Sequence, residues 1–120
     1  MYSAILLEHF QNPRHVGELA PPAVVVEVSN PACGDIMRLS VRFEGDRVVD
    51  VGYKTKGCTA SIATGSATAE WLMGRTRAEL AAVNAAGLEV AVGGLIPESK
   101  HAAVLCVDSI RAVLARLESI

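Results

Sequence analysis

The feature that most constrains this chain is a change of hydrophobic period at Gly57. Before it, apolar residues recur at every second position: Val24, Val26 and Val28, then Met37, Leu39, Val41 and Phe43 against Arg38, Ser40 and Arg42, then Val49, Val51 and Tyr53 against Asp50 and Lys54. Alternation of this kind belongs to strands with one wet face, and Glu44-Gly45-Asp46-Arg47 reads as the turn joining the last two. Three such strands in succession predict an antiparallel meander. Past Gly57 the run CTASIATGSATAEWLMG carries mostly small residues through its first three turns, gathers Trp71, Leu72 and Met73 in the last, and stops at Gly74. It reads as a helix closed by a C-terminal glycine.

Other helices flank this centre. Ser3 caps an amphipathic stretch to Phe10, with Ile5, Leu6 and Phe10 within one broad face, and Asn12-Pro13 ends it because a residue before proline is pushed out of the helical region. Arg14 to Gly17 form a loop that Pro21-Pro22 closes. Thr76-Arg77-Ala78-Glu79 matches a capping box and starts a short helix. Residues 84–96 are broken up by Gly93-Gly94 and Pro97. Ser99 then caps a last helix to about Leu117, with a stripe at Ala103, Cys106, Ile110, Val113 and Leu117, and Asp108, Arg111 and Glu118 facing away. The expected fold is α+β, a three-stranded antiparallel sheet with helices packed on one face, in a single domain over residues 1–120.

Composition narrows the function. The chain is 51% hydrophobic and 20% charged, too apolar for disorder, and with 18 Ala, 15 Val and only 4% aromatics its core must be built from small side chains in close contact. Such a core has little room for a bulky apolar ligand. Eleven basic and thirteen acidic residues leave a net charge of -2, without the footprint of a nucleic-acid binder. No apolar run reaches the roughly 18–20 residues of a membrane helix, and Met1 to Phe10 lacks the basic and long apolar regions of an export signal, so a cytoplasmic protein is expected.

The chemistry lies with three cysteines, Cys33, Cys58 and Cys106, an odd number in a chain that does not need disulfides. Cys33 sits in SNPACGD between the first two strands, presented by turn-forming Asn30, Pro31 and Gly34, with the Asp35 carboxylate two residues on. Taken alone this is a weak signal that also fits a tight turn with an incidental thiol. Cys58 opens the central helix, whose positive end favours the thiolate, with Lys54 and Lys56 nearby; a buried small hydrophobe is the competing reading. Cys106 lies on the apolar stripe of the last helix, where core packing competes with a ligand role. His101 near that helix's start offers an imidazole, whereas His9 and His15 belong to the first helix and its following loop. Separations of 25 and 48 residues exclude paired C-x-x-C knuckles, so a site forms only if three element ends meet.

NPACGD around Cys33, GCTASIATGSATAEWLMGRT from Gly57, the opening YSAILLEHFQNPRHVG and the entry IPESKH together resemble the iron-sulfur cluster assembly scaffold family of IscU and the NifU N-terminal domain, over nearly the whole chain. The resemblance implies a scaffold, a carrier rather than an enzyme, on which a [2Fe-2S] cluster is built and passed to recipient apo iron-sulfur proteins. It implies three cysteines and an aspartate around the cluster, or around a zinc ion in the cluster-free site. Cys33, Asp35 and Cys58 match. The third cysteine follows the family histidine directly, and with His101 aligned to that histidine, Ala102 stands in its place. Cys106 is one helical turn further on, about 5–6 Å along the axis, well beyond a Zn–S bond of about 2.3 Å. Three arrangements follow: Cys106 as a displaced third thiolate, placed slightly ahead; His101 completing the set with Cys33, Asp35 and Cys58; or Cys106 as core beside a weaker site.

By the same resemblance a cysteine desulfurase supplies sulfur as a persulfide on Cys33, Cys58 or Cys106. Of the family's LPPVK chaperone segment, Ile96-Pro97-Glu98-Ser99-Lys100 keeps only the proline and lysine, so handover through an Hsp70-type chaperone is not expected. The alternative function is that of a SufU-like zinc-dependent sulfur acceptor, a sulfurtransferase whose branch has an inserted stretch that the Cys58 to His101 span is too short to contain. Thiolates suit iron and zinc, while the harder, weaker Asp35 carboxylate permits release. Asp35→Ala is therefore expected to lengthen the life of bound cluster, read from decay of its visible absorbance; faster loss would refute that role.

Overall fold

The structure, a computed structural model, describes residues 2–31 and 34–118. Three strands, β1 (Val24–Ser29), β2 (Ile36–Glu44) and β3 (Arg47–Lys56), form one antiparallel sheet in the order β1-β2-β3. Five helices surround it: α1 (Ala4–Gln11), α2 (Thr59–Leu72), α3 (Arg77–Ala82), α4 (Ala85–Ala91) and α5 (His101–Glu118). Helix α2 packs on β3 and α5 packs on β1 and β2; α1 and α4 lie against α2, and α3 and α4 against α5. The α+β meander with its helices on one face is thus the fold observed. No helix among the described residues is long and apolar enough to cross a membrane.

The strand pattern holds with two exceptions. Met37, Leu39 and Val41 are fully buried in β2, and Val51 and Tyr53 are buried in β3. In β3 the inward valine is Val48 rather than Val49, because a bulge shifts the register: Arg42 pairs with Asp50, but Phe43 pairs with Val48. One extra residue in a ladder of period two moves every residue beyond it to the opposite face. Ser40, expected on the wet face, is buried as well. Its hydroxyl accepts from Leu19 N at 3.0 Å and donates to Gly52 O at 3.2 Å, since residues 17–19 cross the back of the sheet. Gly52 permits that crossing; a Cβ there would stand 2.7 Å from Gly17 O. The same segment covers the outer edge of β3, with Tyr53 N donating to His15 O and Gly17 N to Tyr53 O.

The helix signals also hold in the main. The Ser3 side chain accepts from Leu6 N, and Thr76 and Glu79 form the capping box. Helix α1 turns a different face inward from the one expected: Leu6 and His9 are buried, while Ile5 and Phe10 are exposed. His9 Nδ1 pairs with Ser66 Oγ of α2 at 2.8 Å, and the Arg14 amide donates to the same oxygen. Burial, with the Arg14 guanidinium beside it, lowers the pKa of His9, which suits a neutral structural partner. Residues 84–96, illegible as sequence, contain α4 with Asn84 as its N-cap. Ser99 does not cap the last helix but lies in a 3₁₀ turn, Pro97–Ser99, that leads into α5.

Two apolar clusters result. The larger fills the space between the sheet and α2 and α5 and includes Leu39, Tyr53, Leu72, Leu105 and Ile110; burying a side chain of this size contributes about 1.5–3 kcal/mol. The smaller, Leu6, Ala60, Ala63, Ala67, Val92 and Ala102, lies where α1, α2, α4 and α5 meet, with Cys58 at its margin. Cys106 belongs to the larger cluster at 1% exposure. That burial pushes its thiol up to about 12, which counts against Cys106 as a displaced thiolate ligand.

Two outcomes follow from this packing. In native protein at pH 8, iodoacetamide should leave Cys106 unlabelled and modify it only in denaturant; mass mapping of its peptide is the check, and labelling without denaturant would contradict its burial. Gly65 of α2 rests on Tyr53, where a Cβ would stand 2.7 Å from Cε2, and the ring is pinned by its hydroxyl donating to Ile62 O at 2.9 Å. Gly65→Ala should therefore cost about 1–3 kcal/mol in urea unfolding, even though alanine favours a helix over glycine by about 1 kcal/mol. An unchanged or higher midpoint would show that the ring can retreat.

Candidate metal centre

Three element ends meet at one edge of the molecule. Asp35 stands just before β2, in a loop closed by Gly34 N donating to Asn30 O at 2.7 Å and Asn30 N to Asp35 O at 2.8 Å; Gly34 takes φ +75°, which its missing Cβ allows. Cys33 and Ala32 lie outside the described residues. Cys58 is the N-cap of α2, with extended backbone and no capping bond from its side chain, which leaves the sulfur available for other partners. His101 is the first residue of α5. Lys100, immediately before it, is tied to Glu89 of α4 by an ion pair of 2.6 Å.

The three donors converge closely. Cys58 Sγ lies 3.4 Å from Asp35 Oδ2 and 3.5 Å from His101 Nε2, and that nitrogen lies 3.4 Å from the same carboxylate oxygen. Among the described residues this is the one group of three or more such side chains close enough to share an ion. A tetrahedral ion with bonds of about 2.0–2.3 Å has ligand atoms about 3.3–3.8 Å apart, so these separations already match three corners of such a site. A thiol, an imidazole and a carboxylate make a mixed donor set that suits zinc and iron.

The carboxylate is held from several sides. Burial works to raise the Asp35 pKa. Hydrogen bonds from Ser61 Oγ and from the Cys58 thiol and amide, together with the nearby His101, outweigh it and leave the group below its usual value. Gly57 lets it lie against the chain, since a Cβ there would be 2.5 Å from Asp35 Cγ.

Of the residues singled out from sequence, the structure brings together Asp35, Cys58 and His101. It leaves Cys106 in the main core and His9 between α1 and α2. Lys54 and Lys56 are exposed near the end of β3. Ala102, directly after His101, is fully buried in the small cluster. Ser61, one of the small-residue run in α2, was not among the residues singled out, yet its hydroxyl lies 2.5 Å from Asp35 Oδ2. The signal available was spacing, because three residues past Cys58 on a helix points to the same side.

Residues 1–120 match the family described as NifU-like N terminal domain. The chain is 36% identical over 114 residues to the iron-sulfur cluster assembly scaffold protein IscU 1 of Archaeoglobus fulgidus, across 95% of this chain and 74% of that protein. It is 36% identical over 118 residues to the scaffold protein IscU of Azotobacter vinelandii, across 94% and 91%. The crystal structure of a nitrogen-fixing NifU-like protein (N-terminal) from Brucella abortus matches with a TM-score of 0.64 at 27% identity, covering 95% of this chain and 80% of that one. Family match, relatives and shared fold lead to one conclusion: this chain belongs to the NifU-like N-terminal domain family.

Proposed function

We propose that this protein is an iron-sulfur cluster assembly scaffold whose cargo is a [2Fe-2S] cluster held by Cys33, Asp35, Cys58 and His101. The observation that carries the reading is the convergence of Asp35, Cys58 and His101 at separations of 3.4–3.5 Å, on a chain whose relatives are IscU scaffolds. Of the arrangements open from sequence, His101 completing the set fits this convergence. Burial of Cys106 argues against it both as a ligand and as a persulfide acceptor, leaving Cys33 and Cys58 for sulfur arriving from a cysteine desulfurase.

The site suits temporary custody. It lies at element ends rather than in the core, with His101 and Cys58 partly open to solvent. Thiolates hold iron firmly, while an oxygen and a nitrogen ligand supply weaker bonds at which an accepting protein's thiolates can displace the scaffold. The recipients are apo iron-sulfur proteins. Zinc fits the same donors when no cluster is present.

Anaerobic reconstitution with ferrous iron and sulfide tests this. Wild-type protein should develop the visible absorbance of a [2Fe-2S] cluster and retain iron and sulfide in equal amounts. His101→Ala should lower the yield by roughly tenfold, while Cys106→Ala should match wild type. Tight zinc with sulfur transfer but no cluster would favour the sulfurtransferase reading, and retention of neither would overturn both.

A further inference from the structure

Ser61 is buried at 1% exposure on the first turn of α2, one turn from Cys58 and facing the same side. Its Oγ lies 2.5 Å from Asp35 Oδ2 and accepts from the Cys58 thiol at 3.4 Å. Asp35 Oδ2 is also the oxygen 3.4 Å from Cys58 Sγ and 3.4 Å from His101 Nε2. The atom that Ser61 grips is thus the atom that faces the other two donors. Gly57 makes room for the carboxylate but offers no side chain to fix its rotation.

We propose that Ser61 is the positioning residue of this metal centre, fixing the rotamer of Asp35 so that Oδ2 is presented to an ion before the ion arrives. The inference rests on the metal-site reading above. Two effects oppose each other when the hydroxyl is removed. The carboxylate gains rotational freedom, which weakens binding, and its oxygen regains the electron density shared with the hydroxyl, which strengthens it. Loss of an outer partner of a ligand typically weakens metal affinity by about 10–100-fold, so positioning dominates.

Cobalt(II) titration followed by visible absorption, with thermal melts of the metal-free proteins as a folding control, tests the role. Ser61→Ala should bind cobalt about tenfold more weakly than wild type, with its absorption bands moved toward those of Asp35→Ala. In the Asp35→Ala background the same change should alter affinity by less than about twofold, because its action passes through the carboxylate, and Ser61→Thr should restore most of the loss. Unchanged affinity and spectrum in Ser61→Ala, or an equal loss with and without Asp35, would overturn the proposal. Wild-type protein that fails to bind cobalt would overturn the metal-site reading itself, and this inference with it.

Discussion

The structure depends on close approach around α2. Ala60, Ser61, Ala63, Thr64, Gly65, Ser66, Ala67, Thr68, Ala69 and Leu72 are all buried, so this helix meets neighbours on nearly every side: β3, α1, α4 and α5. Small side chains are what allow four neighbours to reach one helix, and where a Cβ is absent, at Gly65, the Tyr53 ring fills the space. Dense packing leaves little freedom to tilt or slide. The N-terminus of α2 is therefore a rigid place from which to present a thiol, and Cys58 stands there.

The site borrows that rigidity. Asp35 hangs from the loop before β2 and His101 from the start of α5, but both are referred to α2, Asp35 through Ser61 and Cys58, His101 through contact with the same sulfur and carboxylate. A buried carboxylate without partners would be costly; here hydroxyl, thiol and amide donors offset its desolvation and keep it a ready anion. Three donors held near their bound separations lose little freedom when an ion arrives. Because they come from the termini of three elements rather than from within one, the ion site remains at the surface.

Departures from the sequence reading each have a local cause. Val49 gave up the inward position to Val48 because one bulged residue in β3 reverses the faces, and periodicity cannot reveal an insertion of one. Ser40 is buried by a segment more than twenty residues earlier in the chain, which no local pattern encodes. Helix α4 carries its own cap at Asn84, but seven residues between a capped helix and two glycines are too few for a clear period. His9 joined Leu6 on the inner face of α1 in place of Ile5 and Phe10, where α2 offers a hydroxyl to the imidazole.

The sequence alone determined the fold class, the strand order of the meander and the helix starting at Cys58, because these rest on period, turn chemistry and local spacing, while Asp35 and Cys58 came forward as ligand candidates through the family resemblance. It left Cys106 and His101 as rivals, since both lie on one helix within a turn and a half of each other. Tertiary structure separates them in space. Cys106 faces the sheet and loses water entirely, while His101 is the helix's first residue and turns to the sulfur and carboxylate delivered by two other elements. Which side of α5 meets the sheet is set by packing against β1, β2, α2, α3 and α4 at once, and that is a property of the assembled fold rather than of any stretch of residues.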